Sequence, residues 1–230
     1  MPKGTFRVTG KLRVNVCDYC HAERNREILQ PGCHCFGTKA AAIDSFLMDL
    51  LQIHSHPTAM PDLQYPVGKF SFPKSVTAAD RGQWISQITE TPRLLREAAL
   101  SLSPAELDTP YRPGGWTARQ VIHHVPESHM NAYIRFKLAL TEDKPTIKPY
   151  AEGEWAKLPD VSDTPIEVSL ALLDSLHDRW VRLLRLMSDA DWNRQFVHPV
   201  LGEVRLDQNL ALYAWHGRHH TAHVRSIKSA

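Results

Sequence analysis

The sequence predicts an all-α protein: a four-helix bundle with a short β-hairpin before the last helix. Three observations carry that expectation. Four long stretches between residues 77 and 226 repeat apolar residues at helical spacing. Long connections separate the helices, as in bundles with crossovers, and histidines gather on two of them, where facing helices of a bundle build metal sites. No repeat, Gly-rich phosphate loop, nucleophile elbow or dinucleotide fingerprint interrupts the pattern.

At 230 residues and 43% hydrophobic, the chain can bury a full core as one ordinary domain with an appendage. No apolar run approaches the roughly 20 residues that span a bilayer. The N-terminal MPKGTFRVTGKLRVNV has no apolar signal-peptide core, which points to the cytoplasm. Residues 1–60 carry seven Lys/Arg against five Asp/Glu, and residues 61–230 carry twenty of each. A neutral main domain offers no electrostatic footprint for nucleic acid or an anionic membrane.

The chain divides at residue 60. Residues 1–59 hold all four cysteines, Cys17 and Cys20 in C-x-x-C-H and Cys33 and Cys35 in C-x-C, and only Ala40 to Ile53 has a convincing helical period. Thiolates at these spacings can converge on one tetrahedral zinc. The first motif also matches c-type haem attachment, which a chain without an export signal disfavours. On a third reading the segment is no working domain and Met60 is the natural start.

Residues 60–230 form the expected bundle. PDLQYPVGKFSFPKS, from Pro61, reads as an extended arm across a surface. The first helix starts at Thr77, with Pro92 expected to kink or divide it. Ser103-Pro104-Ala105-Glu106 is a capping box that opens a short turn. Thr117-Ala118-Arg119-Gln120 is another, and opens the helix carrying His123, His124 and His129, with a kink expected at Pro126. His123 and His124 differ by about 100° around the axis, so only one should face inward. The connection from Thr141 to Asp163 is long enough to be a lid or substrate wall, or else a plain surface excursion. Thr164-Pro165-Ile166-Glu167 reads as a third capping box, opening a helix with Leu172, Leu176, Trp180, Leu183, Leu184 and Met187 on its stripe and a structural His177 beside it. Phe196 to Leu206 reads as a hairpin turning at Leu201-Gly202-Glu203.

The last helix, LDQNLALYAWHGRHHTAHV from Leu206, has four histidines in eight residues. On a helical wheel His220 and His216 lie about 40° and 80° from the centre of the buried stripe, whereas His223 and His219 lie about 100° and 140° away, towards solvent. The inward pair is the metal-ligand candidate. It is not the zincin motif, because Gly217 occupies the place of the glutamate that serves as base in H-E-x-x-H.

Five stretches then carry a resemblance: YPVGKF at 65–70, LDTPYRPGGWTARQVIHH at 107–124, SHMNAYIRFKLALTE at 128–142, SLALLDSLHDRW at 169–180 and LYAWHGRHHTAHV at 212–224. From about Leu63 to Val224 the chain resembles the YfiT-like branch of the DinB superfamily, a group of metal-dependent hydrolases associated with bacillithiol S-transferase activity. The resemblance implies a DinB-type bundle with one divalent ion, zinc or nickel, held by the second histidine of the HH pair and both of W-H-x-x-x-H, here His124, His216 and His220. It also implies a homodimer. Pro126 departs from the alanine usual there, and residues 1–59 have no counterpart.

Three neutral imidazoles leave the ion's charge uncompensated and a position open, as in catalytic rather than closed structural sites. Such an ion takes hydroxide for hydrolysis, or the thiolate of a bacillithiol-like thiol for transfer to an electrophile. A true hydrolase is one alternative. A non-catalytic scaffold stapled by metal is the other, and melting with and without chelator separates it from an enzyme.

Overall fold

The structure, a computed structural model, describes residues 62–229. The cysteine segment, with Cys17, Cys20, Cys33 and Cys35, and the division at residue 60 lie outside the described residues. Eight helices and two strands follow one another: α1 Ala78–Leu100, α2 Pro104–Leu107, α3 Ala118–Thr141, α4 Glu152–Trp155, α5 Pro159–Asp163, α6 Ile166–Leu186, α7 Asp189–Trp192, β1 Gln195–His198, β2 Gly202–Arg205 and α8 Leu206–Ser226, ending in a 3-10 turn. No described helix is long and apolar enough to cross a membrane.

Local chemistry sets most boundaries. Thr77 caps α1 with Asp80 returning a bond to the Thr77 backbone, and Ser103, Thr117 and Ser188 do the same with Glu106, Gln120 and Asp191. The box expected at Thr164 does not form. Thr164 instead ends α5, its backbone N–H donating to Asp160 O at 2.9 Å, and α6 opens behind Pro165 without a side-chain cap. Pro92 and Pro126 stand inside α1 and α3, and neither divides its helix. β1 and β2 pair antiparallel, His198 opposite Gly202, whose φ of 76° suits a residue without Cβ.

The four long helices form the bundle. α1 packs against α8 and α6, and α3 against α6 and α8, so sequence-adjacent α1 and α3 face each other mainly across a diagonal. Two apolar clusters fix the directions. One joins Ile88, Phe136, Trp180, Leu184, Leu206 and Leu210. The other joins Leu95, Ala99, Val121, Ile122, Leu170, Leu173 and Val224. Hence α1 and α8 run one way and α3 and α6 the other. Because α3 and α6 are parallel, the chain between them must return the length of the bundle. Residues 142–165 make that return: Ile147 N–H donates to Val197 O at 3.0 Å near one end, and Ala156 O accepts from Gln120 Nε2 at 2.9 Å near the other. The length expected of a lid is thus first a topological necessity.

Candidate metal centre

Between the two apolar clusters lies a layer of buried histidines from three helices. His124 of α3 and His216 and His220 of α8 are all buried, and each offers one ring nitrogen within 4.8 Å of the others'. His124 Nε2 and His216 Nε2 stand 3.3 Å apart, and the His220 ring centroid is 4.4 Å from that of His216 and 5.0 Å from that of His124. Trp116 flanks the group edge-on to His124. Two lone pairs 3.3 Å apart repel unless a proton or a cation lies between them, so these donors fit a divalent ion.

A chain of hydrogen bonds decides which nitrogen of His216 is available. His177 Nδ1 lies 2.7 Å from Ile88 O, an acceptor only, so the proton is on Nδ1. His177 Nε2 therefore accepts from His129 Nδ1 at 2.8 Å, and His129 Nε2 accepts from His216 Nδ1 at 3.1 Å. The outcome is His216 with its lone pair on Nε2, turned to His124. A second, longer chain serves His220: its Nδ1 is 3.4 Å from His223 Nδ1, and His223 Nε2 is 3.4 Å from Gln64 O. Outer groups of this kind fix ligand tautomers and orientation. His129, His216 and His220 are held well below the usual imidazole pKa, by burial first and by neighbouring histidines second, so they are neutral, the form in which His216 and His220 could bind a metal.

The structure corrects the wheel on two points. His219 and His223, expected towards solvent, are 1% and 0% exposed. The arm and the loop before α3 cover that face: Tyr65 approaches His219, Trp215 stacks on it at 4.3 Å, and Tyr111 stacks on His223 at 3.8 Å. His219, His220 and His223 also converge within 4.8 Å. A second ion there would draw on the His220 nitrogen that already faces His223, so the trio reads as support for the first group. His123 and His124 are both buried, but His123 turns away to Ser169 Oγ at 2.7 Å. His129, not weighed from sequence, joins the layer because α3 and α6 are neighbours.

Gly217 is required by packing. A Cβ there would meet Thr91 Oγ1 at 2.6 Å and Cγ2 at 2.7 Å, so α1 and α8 touch where a zincin would carry its glutamate. Glu127, one turn beyond His124 on α3, has its carboxyl pushed up to about 7 by burial and then by Asp160.

A profile of the DinB superfamily matches residues 87–224. The chain belongs to the DinB superfamily. A protein of Bacillus mycoides named as a candidate metal-dependent hydrolase is 54% identical over 169 residues, covering 74% of this chain and 97% of its own. A Bacillus cereus protein with the same designation matches to the same extent. The solved structure of YfiT from Bacillus subtilis, described as a candidate metal-dependent hydrolase with an unusual four-helix bundle topology, superposes with a TM-score of 0.71 at 44% identity, covering 73% of this chain and 96% of that one. This DinB chain also shares its fold with a mycothiol-dependent maleylpyruvate isomerase, at a TM-score of 0.53 and 17% identity over 65% of this chain and 63% of that one. The YfiT-like branch and the helical bundle with its hairpin, both expected from sequence, are thereby shown.

Proposed function

We propose that this chain is a metal-dependent enzyme in which His124, His216 and His220 hold one divalent ion, zinc or nickel, and that it transfers a low-molecular-weight thiol, bacillithiol-like, to an electrophile. The observation that carries this reading is the ligand set: three buried imidazoles with no carboxylate among them, two of which, His216 and His220, are tied through other histidines to backbone carbonyls. When bound, such an ion lowers the pKa of water towards ~7 or holds a thiol as its thiolate. The chain's own residues do the rest. His129 and His177 keep the Nδ1 proton on His216, so its Nε2 stays a ligand. The half-buried Trp116 ring lies edge-on to His124 and parallel to His220, an apolar wall beside the group that favours a soft anion over a hydrated one. The partners in this reading are the thiol and the electrophile, and a homodimer belongs to the same reading.

The relatives named for hydrolysis support a second reading, in which water takes the place of the thiol. Cobalt(II) separates the two. In a chain with Cys17, Cys20, Cys33 and Cys35 replaced by serine, added bacillithiol should raise a thiolate-to-metal charge-transfer band near neutral pH, below the ~8.5 at which a free thiol ionises. No band at saturating thiol, together with cleavage of an ester or amide, would replace transfer with hydrolysis.

A further inference from the structure

Three turns beyond His124 on α3, and within about 20° of the same face, Arg135 is only 8% exposed. Long cationic side chains are almost never buried this deeply without an anion. Yet among the described residues no ion pair involves Arg135. Its one bond is long, from Nη1 to Tyr213 Oη at 3.4 Å. Nε and Nη2 have no hydrogen bond to any described residue, which leaves two donors of the fork for a ligand. Glu152 and His198 both feel its charge. Burial raises the carboxyl of Glu152 against the pull of Arg135, and burial and then Arg135 push His198 down to about 4, so that imidazole is neutral. His198 Nδ1 accepts from the backbone N–H groups of Val200 and Leu201, which puts its proton on Nε2.

Tyr213 connects this cation to the histidine layer. It lies one turn before His216 on α8, and its ring centroid is 5.5 Å from that of His216 and 5.1 Å from that of His129. From the histidine group to the guanidinium the path is therefore about one aromatic side chain long.

We infer that Arg135, with the Tyr213 hydroxyl beside it, is an anion subsite that binds a carboxylate of the substrate or of the thiol, while another atom of the same molecule reaches the metal position. A planar guanidinium matches a carboxylate with two parallel bonds, and burial strengthens both. The inference rests on the proposed metal reading only for the far end of the ligand.

Succinate and its neutral isostere succinamide are the probes, titrated calorimetrically into the full chain with chelator and again with zinc. Succinate should bind in both states and succinamide at least tenfold more weakly. Arg135→Met should weaken succinate at least tenfold, with Arg135→Lys in between because one bond of the fork is lost. On the unaltered protein, succinate should also slow phenylglyoxal modification of Arg135, mapped by mass spectrometry, which keeps the test intact if Arg135→Met folds poorly. Equal binding of the two probes, or no protection of Arg135 by succinate, overturns the subsite. Because the chelated arm needs no metal, failure of the thiol-transfer reading would leave succinate binding in place. Failure of the subsite would leave the cobalt–thiolate band in place.

Discussion

His177 Nδ1 donates to the carbonyl oxygen of Ile88 at 2.7 Å, and that oxygen is available because residue 92 is proline. In an unbroken α-helix the N–H of residue 92 would bond Ile88 O, and Pro92 has none. The helix interruption expected at Pro92 is therefore an open acceptor rather than a break, and it fixes the tautomers of three histidines in succession.

His177→Ala and His129→Ala should each weaken zinc binding by roughly 10- to 100-fold while leaving all three ligands present. Pro92→Ala restores a competing donor for Ile88 O, and should weaken zinc by a smaller factor without lowering the melting temperature of the metal-free protein. Competition with a chromophoric chelator reads these constants, and unchanged affinity in His129→Ala would remove the relay from the account.

His124→Ala, His216→Ala and His220→Ala should each abolish stoichiometric metal, measured by elemental analysis. His219→Ala and His223→Ala should retain it, with His223→Ala binding less tightly and both melting lower because buried, stacked rings are lost. Full occupancy in His216→Ala would sink the ligand assignment.

Gly217→Ala should destabilise the fold by about 1–3 kcal/mol, since its Cβ collides with Thr91 at the α1–α8 contact. Thr91→Ala in the same chain should return part of that loss. Denaturant titrations of the two single variants and the double variant measure the coupling, and strict additivity would show that α1 and α8 separate there at no cost.

In metal-free protein, pH acts in two directions. His177 and His198 are pushed down to about 4 by burial, against about 6.5 unfolded, so the unfolded chain binds more protons between those values. Their contribution is complete above about 6.5 and is lost as pH falls towards 4. Glu127, raised from 4.5 to about 7, binds its proton more tightly when folded, so its contribution is lost as pH rises from 4.5 through 7. Glu127→Gln should therefore melt higher than the unaltered chain at pH 8 and match it near pH 4.5. A Tm difference that does not change between the two pH values would refute the assignment.

The helices were legible from sequence because their apolar period and three of their capping residues are local. The inward turn of His216 and His220 was legible because it depends on one helix. What the wheel missed depends on other parts of the chain. His219 and His223 are buried by Tyr65, Trp215 and Tyr111, and the covering Tyr65 and Tyr111 come from outside α8. The bond from His129 to His177 exists only because α3 and α6 lie side by side, and no periodicity announces which helices are neighbours. Thr164 was misread because the same residue satisfies the end of α5 before it can open α6.

The pairing of α1 with α8 also governs how the chain reaches this state. These parallel neighbours are separated by about 105 residues, so joining them closes a long loop before their contact repays the entropy lost. α3 and α6, the other parallel pair, cannot meet as a tight hairpin either. Folding should thus be slower than in bundles made of sequential hairpins, and a chain stalled before the last helix docks holds only one of the three histidines proposed as ligands. Metal capture would then report completion of the fold, with no partly assembled form able to hold it.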